Sequence, residues 1–92
     1  MNYQDQVVVL TGASGGIGSA MAKKFTDLGA KVALLDITVD RVQALADKLG
    51  LGSDRAFCAA VDVSNEESVK ATVDAIVKHF GRIDVLVNAA GI

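Results

Sequence analysis

The stretch Thr11-Gly12-Ala13-Ser14-Gly15-Gly16-Ile17-Gly18 constrains this chain more than any other. It follows the apolar run Val7-Val8-Val9-Leu10 and passes directly into a helical pattern that begins at Ile17. Four of the nine glycines fall inside it. Glycine permits positive φ and lets another backbone or a ligand come close. The helix N-terminus behind such a loop offers unpaired N–H groups and partial positive charge, which suits a phosphate. A glycine loop alone is a weak signal, so its flanks must supply the context.

The flanks alternate between two periods. Val7–Leu10 is continuously apolar, as expected for a strand covered on both faces. Ile17, Met21, Phe25 and Leu28 recur at helical spacing, and Gly29 closes that helix. Lys31–Asp36 reads as a second buried strand. Val42, Leu45, Ala46 and Leu49 form a second helical stripe, ended by Gly50. Residues 56–63 read as a third strand. Ser64 and Glu67 stand at capping-box spacing ahead of a third helix, whose stripe is Val69, Val73, Ile76, Val77 and Phe80 and whose stop is Gly81. Ile83–Asn88 is a fourth strand. Such alternation predicts an α/β fold with an open parallel four-stranded sheet in the order 3-2-1-4. The first two helices lie on one face and the third on the other, as in half of a doubly wound Rossmann fold.

Composition narrows the setting. At 92 residues, 51% of them apolar, the chain reads as one globular domain with a small core. A formal net charge of −2, with no basic stripe, argues against nucleic acid. The start carries no positive charge ahead of an apolar run, and no apolar stretch approaches the ~20 residues of a membrane span. The single cysteine, Cys58, has no internal partner and reads as a small hydrophobe in the third strand. These features predict a soluble chain in a reducing, cytoplasmic setting. No His, Cys, Asp or Glu cluster has metal-ligand spacing, and His79 reads as a surface residue favoured by a helix C-terminus.

The next requirement of a dinucleotide site is an acid at the end of the second strand, about 20 residues on. Asp36 stands there, eighteen residues after Gly18. Its carboxylate can accept from both hydroxyls of an adenosine ribose and would repel a 2′-phosphate, so NAD is expected over NADP. Asp62 and Val63 close the third strand, where they can border an adenine; Asp62 could instead cap the next turn. Asn88, Ala89, Ala90 and Gly91 close the fourth strand with small residues that let backbone lie along a ribose. All four features sit at the carboxyl ends of strands, where open α/β sheets bind ligands.

Together, Thr11-Gly12-x-x-x-Gly16-x-Gly18, Asp36, Asp62-Val63 and Asn88-Ala89-Ala90-Gly91 make the chain resemble the short-chain dehydrogenases/reductases. The resemblance runs from about residue 5 to the end. It implies cofactor contacts at Gly12, Ser14, Gly15, Gly16, Ile17 and Gly18 around a pyrophosphate. Asp36 would hold the adenosine ribose, Asp62 and Val63 would flank adenine, Asn88 to Gly91 would lie on the nucleoside side, and Ile37 is a further expected cofactor contact. The family's catalytic serine, tyrosine and lysine lie beyond the Asn-Ala-Ala-Gly segment. The only tyrosine here is Tyr3, and four residues later stands Val7 rather than lysine. The resemblance therefore carries over NAD(H) binding and nothing catalytic, and residues 1–92 are expected to be the nucleotide-binding half without its substrate half. The alternative is a truncated or engineered half-fold whose main property is folding and self-association. Either way, the fourth strand (Ile83 to Asn88) should have an open apolar edge, and one helix should under-cover its face of the sheet. Some of Val7, Val9, Leu34 and Val87 are expected to stay partly in water, and a homodimer or larger assembly to result.

Overall fold

The structure is a computed structural model that describes residues 3–88. Among these residues the elements are β1 (Val7–Thr11), α1 (Gly16–Asp27), β2 (Lys31–Asp36), α2 (Val39–Lys48), β3 (Ala56–Ala60), α3 (Glu66–Phe80) and β4 (Val85–Asn88). The strands form one parallel sheet in the order β3-β2-β1-β4. This is the expected topology, with its reversal of strand order beside β1. Parallel neighbours need crossovers, and three helices of 10 to 15 residues supply them.

The alternation of strand side chains divides the core in two. Val8 and Leu10 of β1, with Val32 and Leu34 of β2, pack with Ala22 of α1 and with Val42 and Ala46 of α2. Val7 and Val9, with Ala33 and Leu35, pack on the other face with Val61 and with Ile76 of α3. All five β1 residues are buried, and the first four, Val7 to Leu10, form a run unbroken by polar positions before Thr11.

Several boundaries differ from the sequence reading, each for a local reason. β3 ends at Ala60 rather than at residue 63. The Val61 N–H still reaches the Asp36 carbonyl at 2.8 Å. Asp62 then folds its carboxylate over Ser64, accepting from the backbone N–H at 3.0 Å and the hydroxyl at 2.6 Å. This Asx-type turn takes the chain out of the ladder. It also removes Ser64 as the cap of α3, because its hydroxyl is engaged. Asn65 caps instead, its side-chain oxygen accepting from the Ser68 N–H at 3.1 Å. β4 starts at Val85 because the Asp84 side chain replaces a ladder carbonyl. Its carboxylate accepts from the Val7 N–H at 2.8 Å, while the Asp84 N–H donates to the Val7 carbonyl at 2.9 Å.

The expected exposure also falls elsewhere. Of the four candidates only Val87 stays partly in water, half-buried, while Val7, Val9 and Leu34 are fully buried. Exposure concentrates on Leu86, 68% accessible, which pairs in register with Val9 on the α3 face. Val73 and Val77 of α3 are also exposed, so the buried face of that helix is carried by Thr72 and Ile76. Ile17 is exposed too, and α1 meets the sheet through Gly18 and Ala22.

Candidate functional site

The carboxyl ends of the strands converge where strand order reverses. β1 ends at Thr11, and Gly12 turns the chain with φ of +68°, a conformation that side chains oppose. The turn is pinned to β2 by the Ala13 N–H donating to the Leu35 carbonyl at 3.1 Å. It is closed by the Gly15 N–H donating to the Gly12 carbonyl at 3.2 Å. α1 then starts beneath the loop. A Cβ at Gly18 would lie 2.5 Å from the Gly12 oxygen and 2.9 Å from the Ala13 Cα. Glycine at position 18 is therefore what lets helix and loop touch. Gly15 and Gly16 are different: a Cβ would meet only ordinary contact at the first and open space at the second. No side chain caps α1 and no acid stands in its first turn.

Asp36, last residue of β2, is held from both sides. One carboxylate oxygen accepts from the Ser14 backbone N–H at 3.1 Å and from the Ser14 hydroxyl. The other accepts from the Ile37 N–H at 2.7 Å. The Ser14 hydroxyl is the main reason that the Asp36 pKa lies below the usual carboxylate value. The Ile37 and Ser14 N–H groups and the Arg41 charge act in the same direction, against partial burial. Asp62 is lowered as well, first by the Ser64 hydroxyl and then by the Ser64 N–H. Both acids are ionised at neutral pH.

Gly12, Asp36, Ile37, Asp62 and Val63 all line one cavity of about 190 Å³. Thr11 and Val61 complete the lining. Ile37 is 72% exposed and Val63 55% exposed, so two large apolar side chains stand in solvent at its rim. Among the described residues the lining includes two carboxylates and no cation; the Arg41 charge acts on Asp36 from outside it.

The other sequence-derived candidates lie around this cavity rather than in it. Ser14 reaches it through Asp36. Gly15, Gly16 and Ile17 are exposed at the start of α1, with Gly16 in a separate surface hollow beside Ser19 and Lys23. Gly18 is buried behind the loop. Asn88 accepts from the Thr11 hydroxyl at 2.7 Å and lines a second, apolar cavity of about 220 Å³ over Val73 and Leu86. Ala89, Ala90 and Gly91 lie outside the described residues. Sequence reasoning named Thr11 only within the glycine motif and Val61 only within the third strand, and gave neither a place in the site. The Thr11–Asn88 bond had a signal, since two adjacent parallel strands end on these polar residues, but it needs their register, which pairs them directly.

Three further residues belong to the framework. Tyr3 packs edge-on against Phe25, with ring centroids 5.1 Å apart, and its N–H reaches Leu28 at the end of α1. It is thus at the far end of the strands from the cavity. His79 is exposed, its ring nitrogen 2.7 Å from the Ser53 carbonyl oxygen and its ring between Phe57 and Phe80. The Cys58 thiol is half-buried, and burial pushes its pKa up, away from the reactive thiolate.

Comparison with known proteins places this geometry. A family model described as short chain dehydrogenase matches residues 6–92. D-threitol dehydrogenase of Mycolicibacterium smegmatis is 44% identical over 89 residues, covering 95% of this chain and 34% of that protein. The solved structure of 3-ketoacyl-(acyl-carrier-protein) reductase from Brucella melitensis, complexed with NADH, superposes with a TM-score of 0.84 at 36% identity. That match covers 92% of this chain and 34% of the reductase. A metagenomic short-chain oxidoreductase in complex with NADP gives 0.82 at 36% identity, covering 90% of this chain and 38% of that one. The chain thus spans about a third of the length of these relatives.

Proposed function

The chain belongs to the short-chain dehydrogenase family, and on that premise we propose that it is the dinucleotide-binding part of an NAD(H)-dependent oxidoreductase. In this reading residues 1–92 form one nucleotide-binding half-domain. The parent enzyme moves hydride between nicotinamide and an alcohol or ketone. The cofactor supplies the hydride; the protein supplies binding, orientation and electrostatics. The Gly12–Gly18 loop and the N-terminus of α1 take the pyrophosphate. Asp36 accepts from the adenosine ribose, Ile37 and Val63 flank the adenine, and Asp62 with the Val63 N–H reads its edge. Asn88, Ala89, Ala90 and Gly91 support the nucleoside side.

The observation that carries the choice of NAD is the lining of the cavity: two ionised carboxylates and no cation. A 2′-phosphate there would meet like charge from the lining, set against the single nearby charge of Arg41, which acts on Asp36 from outside the cavity wall. Binding by calorimetry at moderate salt tests this, with NAD expected to bind more tightly than NADP. Equal or reversed affinities refute the role given to Asp36.

The polypeptide itself is proposed to bind without turning over. Its single tyrosine, Tyr3, is packed on Phe25 at the opposite end of the sheet, so it serves no proton transfer at the cavity. Titration followed by NADH fluorescence should show binding, and alcohol oxidation should stay at background. Steady NADH production that survives purification and is lost in Gly18→Ala refutes the second half. A cytoplasmic location belongs to the same reading; among the described residues no helix is long and apolar enough to cross a membrane. Self-association is proposed through β4, which pairs only with β1 among the described residues and exposes Leu86. If that property dominates, the chain is a folding module first, and light scattering separates the two readings.

A further inference from the structure

An ionised carboxylate offers about four acceptor positions, two on each oxygen. At Asp36 three of them are taken by the chain itself. The Ser14 N–H and the Ser14 hydroxyl occupy one oxygen, and the Ile37 N–H occupies the other. A ribose diol brings two donors to a group with one position left. Two of the three resident donors are backbone N–H groups, held by the loop turn and by the end of β2. Only the Ser14 hydroxyl can leave without moving the backbone, by rotation about χ1.

We propose that Ser14 is a positioning residue that competes with the ribose for Asp36, so that its hydroxyl swings off the carboxylate whenever a ribose diol binds. The inference rests on the ribose role proposed for Asp36 and adds a specificity element to it. With no ligand, the hydroxyl keeps the acid ionised and aimed at the loop. With a diol bound, both carboxylate oxygens accept from ribose, and the serine hydroxyl turns to solvent or to the ligand. A ligand without the diol has no reason to displace it. The hydroxyl therefore lowers the preference for ribose-bearing nucleotides over those without the diol.

Calorimetry with ADP and with 2′,3′-dideoxy-ADP, on the unmodified chain and on Ser14→Ala and Ser14→Gly, tests this. Both variants keep the N–H and lose the competitor. The preference for ADP over dideoxy-ADP should rise in each variant by roughly three- to tenfold, the effect of about one net hydrogen bond. Any contact of the Ser14 hydroxyl with the diphosphate is common to both nucleotides and cancels from that ratio. In the absence of nucleotide, carbon-detected NMR titration should show the Asp36 pKa rising in both variants. A merely structural serine would weaken both nucleotides together. If the unmodified chain prefers ADP and neither variant raises that preference, the competition is refuted and the ribose role stands. If the unmodified chain binds ADP and dideoxy-ADP equally, the ribose role itself falls, and the competition with it.

Discussion

Replacing Gly18 with alanine inserts one methyl group where loop and helix touch. Its Cβ would lie 2.5 Å from the Gly12 carbonyl oxygen, 2.9 Å from the Ala13 Cα and 3.2 Å from the Ala13 carbonyl carbon. All three are backbone atoms, so no flexible side chain can yield. Ordinary carbon–oxygen contacts begin near 3.3 Å, so the loop and α1 must separate by about 0.8 Å. Ala13 is fully buried and its N–H is tied to β2, so the shift loosens the junction of β1, β2 and α1. Overpacking of this kind costs about 1–3 kcal/mol. Alanine returns at most about 1 kcal/mol through helix propensity, and less in a first turn. The expected net loss is about 1–2 kcal/mol. With a urea slope of about 1–3 kcal/mol/M, the unfolding midpoint should fall by roughly 1 M. Gly16→Ala is the control. It lies in the same helical turn, but its Cβ would meet nothing within 4 Å, so stability should hold or rise by up to about 1 kcal/mol. NAD affinity should fall in the Gly18 variant, because the loop is displaced. It should fall in the Gly16 variant only if the pyrophosphate uses that open space. A Gly18→Ala protein as stable as the parent, or two variants equally destabilised, would refute the close-contact account.

Asp36→Ala should weaken NAD by roughly 10- to 100-fold, the loss of one or two charge-assisted hydrogen bonds, and narrow the gap to NADP; calorimetry measures both. Acid should destabilise the fold through Asp84 as well as Asp36. The Asp84 pKa is lowered first by the Arg82 hydrogen bonds and then by the Val7 N–H. A lowered folded pKa gives stability that is present above the unfolded value near 3.9 and is lost as pH falls through the folded value. Asp84→Asn should therefore flatten the acid side of a stability-against-pH curve, and an unchanged curve would remove Asp84 from the account. Ile76→Ala should cost about 2–5 kcal/mol by chemical unfolding, since Ile76 is fully buried and is the main anchor of α3. Leu86→Glu should lower the molar mass found by light scattering towards that of a monomer; an unchanged mass would exclude this face from self-association.

The order of elements was legible in the sequence because each signal is local. Apolar runs, helical stripes and the glycines that follow them need no knowledge of distant partners. Right-handed crossovers then leave few sheets, and 3-2-1-4 is the one that forms. The glycine loop and Asp36 were legible as a pair for the same reason, since one βαβ unit brings them together. What sequence could not decide was competition between groups of the same kind. Ser64 and Asn65 both suit the cap of α3, and only the engagement of Ser64 by Asp62 leaves the role to Asn65. Val9 and Leu86 are equally apolar and sit side by side on one face, yet one is covered by α3 and the other is not. The four loop glycines look alike in sequence. Tertiary contact separates Gly12, which needs positive φ, and Gly18, which needs the missing methyl, from Gly15 and Gly16, which have room. Periodicity along the chain specifies which face a residue takes. What stands opposite that face, and how closely, is settled only when distant segments pack.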